Sequence, residues 1–213
     1  MTDTTYPSQF ASHRRADTAV HFLGLVLIFI AGGLMLVKTA ATHPLSVFFA
    51  VLVYVFCALA SNVASWTYHF APWHSHRVIL RRLDHAAIYP SIAGTFTPFF
   101  VLANTGWTLS LLGICWGLTC VAMYKKMTDV SVQSKWSMAS YLGLGAIGLL
   151  ALPDMQDMPV LTLWCIIAGA AAYVIGTVFY ARRSMPYRYA IWHAWVNIGG
   201  ILMFAGIWIA LFS

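Results

Sequence analysis

Seven runs of about 20 predominantly apolar residues follow one another along this chain, near 20–37, 46–69, 85–103, 107–124, 136–152, 160–180 and 190–211. That length is what an α-helix needs to cross the ~30 Å hydrocarbon core of a bilayer. Inside lipid every backbone N–H and C=O must be satisfied within the segment itself, which a helix does. Seven such helices use up most of the 213 residues and leave only short connections. Charged residues make up 8% of the chain, against about 25% in an ordinary soluble domain, too few to cover a soluble surface. The expected fold is therefore an all-α membrane protein, a seven-transmembrane helix bundle over 20–213 behind a polar tail at 1–19. No small-residue cleavage site closes the first run, which argues against a removable signal sequence. Residues 1–12, "MTDTTYPSQFAS", are expected to be loosely ordered.

A net charge of +6 raises the question of nucleic acid, and the placement of the charge answers it. If the connections alternate between the two sides, one side receives Arg14, Arg15, Arg77, Arg81, Arg82, Lys125, Lys126, Lys135, Arg182, Arg183 and Arg188. The other receives Lys38, together with Asp154 and Asp157. An excess of Lys and Arg marks the cytoplasmic side, so the N-terminus is expected inside and the C-terminus outside. The expected partners are membrane lipids, including anionic headgroups, and not nucleic acid. The expected location is a bacterial inner membrane, as a multi-pass integral protein. The last run has no lysine to carry a retinal Schiff base, and an inside N-terminus disfavours a G-protein-coupled receptor. Cys57, Cys115, Cys120 and Cys165 lie within apolar runs without a CxxC pair, so they read as buried free thiols.

With that orientation, the unusual polar residues fall at one depth. "ASNVASWTYHF" ends the second run on the inner side, with Asn62, Ser65 and His69 along one helical face. "RRLDHAAIYPSIAGTFTPF" opens the third from the same side with Asp84 and His85, and His21 opens the first. In "PYRYAIWHAWVN", at the start of the seventh, Tyr189, His193 and Asn197 are spaced i, i+4, i+8 and make a polar stripe. Ionisable groups inside a membrane are costly and normally face a bundle interior or an aqueous cavity. His69, His193 and Asp84 therefore read as a site, although Asp84 also reads as an N-terminal helix cap. His21 and His85 read equally well as structural residues or as its supports. His74 and His76, in "APWHSHRVILRR", read as solvated loop residues.

These residues carry a family resemblance. "SWTYH", "LDHAAIY…IAGTFTPF" and "PYRYAIWHAW" resemble the hemolysin III branch of the progestin and adipoQ receptor (PAQR) family, within the CREST superfamily that also holds alkaline ceramidases. The resemblance implies a buried zinc near the cytoplasmic face, held by a Ser-x3-His on helix two, an Asp opening helix three and a His-x3-His on helix seven. Ser65, His69 and Asp84 match the first two elements, and His193 matches the last histidine. The first histidine of that pair is Tyr189 here, and a further one about ten residues on is Met203. The ligand set implied is thus His69 and His193, with Asp84 or Tyr189 as the further ligand. Asp84 and Ser65 are the implied catalytic groups; Asn197, His85 and His21 stand around them.

Two classes of function follow. One is a regulator or sensor of membrane lipid state, a metal-free polar network occupying an incomplete zinc site. The other is a zinc-dependent hydrolase of lipid amides or esters. A pore-forming cytolysin is a third reading, suggested by the family's name.

Overall fold

In the computed structural model, which describes residues 6–128 and 135–213, two helices begin well before the apolar runs that predict them, and the other five start within two residues of theirs. The first, α1 (Ala11–Thr42), starts nine residues ahead of its run. Nothing in "ASHRRADTA" breaks a helix, and the Arg14 guanidinium anchors the start by donating to the Ser8 and Gln9 carbonyls at 3.2 and 2.9 Å. The Tyr6 ring sits between the guanidinium groups of Arg14 and Arg77, at 5.0 and 4.6 Å. Part of the expected loose tail is therefore packed down, while residues 1–5 lie outside the described residues. Asp17 and His21 become second- and third-turn residues of α1 rather than tail and helix opening.

After α2 (Leu45–Phe70), a 3-10 turn (His74–His76) leads directly into α3 (Arg77–Ala103). The buried Arg77 guanidinium donates to the carbonyls of Tyr68 and Ala71, satisfying the open end of α2. Because α3 starts eight residues ahead of the expected boundary, Asp84 lies in its third turn and caps nothing. The helix runs through Pro90 and Pro98.

The remaining helices are α4 (Gly106–Thr128), α5 (Lys135–Leu149), α6 (Val160–Ala181) and α7 (Arg188–Phe212), with a 3-10 turn at Leu152–Met155. Six of the described helices are long and apolar enough to cross a membrane. The exception is α5, whose 15 residues rise about 22 Å, short of the hydrocarbon core. It stops where Gly148 meets α3: a Cβ there would lie 2.0 Å from Phe96. The expected fifth span over 136–152 is thus a shorter apolar helix followed by a turn.

α7 packs between α6 and α1, and α1 between α7 and α2. α3 touches α2, α4, α5 and α7 and is the most buried span. Met35, Val51, Ala93, Phe99, Phe100, Cys115 and Ile207 form the fully buried centre. Large apolar side chains face outward instead, among them Phe29, Phe56, Val121 and Trp164, a surface suited to lipid and not to water. Cys57 and Cys115 are buried as expected, whereas Cys120 is exposed on that outer face.

Candidate metal centre

Three helices converge at one end of the bundle: the start of α1, the end of α2 and the start of α7. Each brings residues spaced i, i+4, which share a helical face. These are Asp17 and His21 on α1, Ser65 and His69 on α2, and Tyr189 and His193 on α7. Since α1 packs against both α2 and α7, its face is the one that joins the other two.

Asp17 is the hub. It is completely buried, and its two carboxylate oxygens are shared between two imidazoles. His69 Nδ1 donates to Oδ2 at 2.8 Å, and His193 Nδ1 donates to Oδ1 at 2.7 Å. His21 Nδ1 donates to the Asp17 backbone carbonyl at 3.0 Å and lies 3.3 Å from Oδ1. A carbonyl only accepts, so this bond places the His21 proton on Nδ1. In the neutral ring Nε2 then accepts, and the Ser65 hydroxyl donates to it at 3.1 Å. The three imidazoles are close-packed, with ring centroids 3.9 Å apart for His21 and His193, 4.8 Å for His69 and His193, and 5.3 Å for His21 and His69.

Aromatic rings surround the group. Phe70 presents itself to His21 at 5.0 Å and to His69 at 5.8 Å, Tyr68 meets His69 at 5.1 Å, and Tyr189 meets it at 5.0 Å. Such walls exclude water and lower the local dielectric, which strengthens each polar contact inside and penalises any that is lost.

One ligand atom each from Asp17, His69 and His193 lies within 4.8 Å of the others. Two imidazoles and a carboxylate, with a third imidazole alongside, are nitrogen and oxygen donors of the kind that hold zinc and related divalent ions. By donor chemistry and clustering, the residues fit a zinc ion. The structure brings His69 and His193 together, and the carboxylate between them is Asp17.

Asp84 does not join the group. It is half-buried on α3 and makes no hydrogen bond or ion pair among the described residues. His85 sits against α5, where its carbonyl accepts from the Tyr141 hydroxyl at 3.0 Å. Tyr189 contributes a ring edge to His69, its hydroxyl makes no hydrogen bond among the described residues, and the Arg188 guanidinium lies 4.5 Å over its ring. Asn197 ties α7 to α1 by donating to the Val20 carbonyl at 2.9 Å, and its oxygen rests against Gly24, where a Cβ would lie at 2.6 Å. Met203 is a core residue. The 3-10 turn leaves His74 and His76 outside the group.

The residue that sequence reasoning missed is Asp17. Its signal was the spacing to His21, the same i, i+4 step as Ser65–His69, hidden because the residue precedes the apolar run.

The chain matches the family model described as haemolysin-III related over residues 14–204, a span that holds all the residues of the centre. It belongs to the haemolysin-III related family. It is 28% identical to the Hemolysin-3 of Bacillus cereus over 204 residues, covering 94% of this chain and 92% of that protein. It is 35% identical to the Hemolysin-3 homolog of Bacillus subtilis (strain 168) over 129 residues, 59% of this chain and 60% of the relative. With six membrane-length apolar helices, this haemolysin-III family chain is an integral, multi-pass membrane protein.

Proposed function

We propose that the Asp17, His69 and His193 group holds a divalent ion, zinc by its donor chemistry, and that the protein is a metal-dependent hydrolase of membrane lipid amides or esters. One observation carries the metal reading: α1 supplies a carboxylate and a third imidazole, Asp17 and His21, to a pair of histidines that Tyr189 leaves short of a third. The hydrolytic reading adds the kinship with CREST-type hydrolases that the sequence motifs imply. A divalent ion at this position would supply Lewis-acid activation of water and of a carbonyl oxygen.

The chain's own residues have separate tasks. Asp17 would ligate the ion with His69 and His193, whose Nδ1 atoms would give up the protons they donate to its carboxylate, and would offset the positive charge in a water-poor setting. His21 accepts from Ser65, so it can take a proton from that hydroxyl or from a water in its place. Asp84, half-buried one helix away and without a hydrogen bond or ion pair among the described residues, is the spare carboxylate for moving protons toward the inner face. In this reading the basic end of the bundle faces the cytoplasm of a bacterial cell, and the termini lie on opposite sides if α5 is the seventh span.

A second reading, a sensor of lipid state, is favoured by the closure of the centre, where Phe70 covers two of its imidazoles. A pore is not supported. The buried His, Asp, Arg and Lys residues among those described sit at one end of the bundle rather than along a path.

Metal analysis of protein purified without chelator, together with lipid turnover, tests the proposal. Stoichiometric zinc that disappears in Asp17→Ala and His69→Ala is the expected result. A metal-free wild type that turns over no lipid amide or ester would overturn it.

A further inference from the structure

Beside the centre lies a surface cavity of about 370 Å³, lined by Tyr6, Ala11, Arg14, Arg15, Thr18 and Phe70. Thr18 follows Asp17 in sequence and Phe70 follows His69, so one wall of the cavity backs directly onto the metal-binding group. The Phe70 ring alone contacts both His21 and His69 from that wall.

Among the described residues, the lining carries two guanidinium groups and no carboxylate. Arg14 commits one nitrogen, Nη1, to the Ser8 and Gln9 carbonyls. Arg15 is exposed and makes no hydrogen bond or ion pair among the described residues. Asp17, the nearest acidic residue in sequence, is engaged by two imidazole N–H groups and buried behind the lining. Guanidinium forks match phosphate oxygens in pairs. At the end of a membrane helix, such side chains reach the headgroup level.

We propose that this cavity binds the phosphate of an anionic phospholipid headgroup. Arg14 and Arg15 meet the phosphate oxygens, and the Tyr6 and Phe70 rings flank the glycerol and the start of the acyl chains. The headgroup would then place an acyl linkage beside the metal centre. In that last respect the inference rests on the function proposed above; lipid binding itself does not.

The test titrates delipidated full-length protein in detergent with phosphatidylglycerol, with phosphatidylcholine, or with inorganic phosphate alone, reading occupancy by native mass spectrometry. The wild type is expected to bind phosphatidylglycerol at least about fivefold more tightly than phosphatidylcholine, the scale of one basic residue at a charged membrane surface. Arg15→Gln should remove about fivefold of that preference, and Ala11→Trp, which places an indole in the lining and narrows the cavity, should remove at least as much. Neither substitution touches the metal ligands, so metal content and melting temperature should stay as in the wild type. Equal affinity for the two lipids, or a preference that survives both substitutions, would overturn the proposal. So would inorganic phosphate binding alone with no lipid preference, which would make the cavity a simple anion site. Metal is assayed in the same samples, so its absence would count against the metal reading alone.

Discussion

Asp17 holds two imidazoles with one carboxylate, at 2.7 and 2.8 Å, in a place with no water-exposed surface. Hydrogen bonds to an ionised group are worth about 1.5–3 kcal/mol each, and a buried donor left unpaired costs about 1–3 kcal/mol. Asp17→Ala should therefore lower stability by several kcal/mol, seen as a drop in melting temperature in detergent, and should also abolish metal retention. Asp84→Asn should leave metal content unchanged while lowering lipid turnover. Tyr189→Phe should change neither metal content nor melting temperature, because the lost hydroxyl has no hydrogen-bond partner among the described residues and the ring edge on His69 remains. Metal lost from Tyr189→Phe would make the phenol a ligand after all. His69 and His193 were legible in the sequence because they stand out within apolar helices. Asp17 was not, because a carboxylate among "HRRADT" looks like an ordinary solvated residue until the helix is known to extend through it.

At the scale of elements, apolarity located every helix but placed the starts of α1 and α3 too late. Hydropathy reports where lipid is met, whereas a helix continues for as long as its backbone bonds can form. Both α1 and α3 therefore run about two turns beyond their apolar runs at the basic end, and those extra turns carry Asp17 and Asp84. The same reasoning fails for α5 in the opposite sense. Its residues are apolar, yet Gly148 lets Phe96 of α3 press against its end, and a turn follows. The α1–α7 seam is a close joint beside the centre, since Gly24 lets Asn197 reach the Val20 carbonyl. Gly24→Leu should force the seam apart and cost about 1–3 kcal/mol, the usual toll of overpacking. The expected readout is a lower melting temperature together with partial metal loss. Gly33→Leu, at a position with nothing within 4 Å, is the matched control and should change neither.

For the whole molecule, the span count has a parity that can be measured. Seven crossings put the termini on opposite sides of the membrane and six put them on the same side. Reporter fusions at Met1 and Ser213 should read inside and outside respectively if α5 spans; two inside readings would leave six crossings. The contact between Asp17 and His193 links positions 176 apart in a chain of 213. A ribosome threading this protein into the bilayer therefore delivers the carboxylate with the first helix and its second imidazole only with the last. Until release is nearly complete, a buried aspartate waits in the membrane with part of its complement missing. Chains that stop before α7 keep the bond from His69 to Oδ2 and leave Oδ1 without the one from His193.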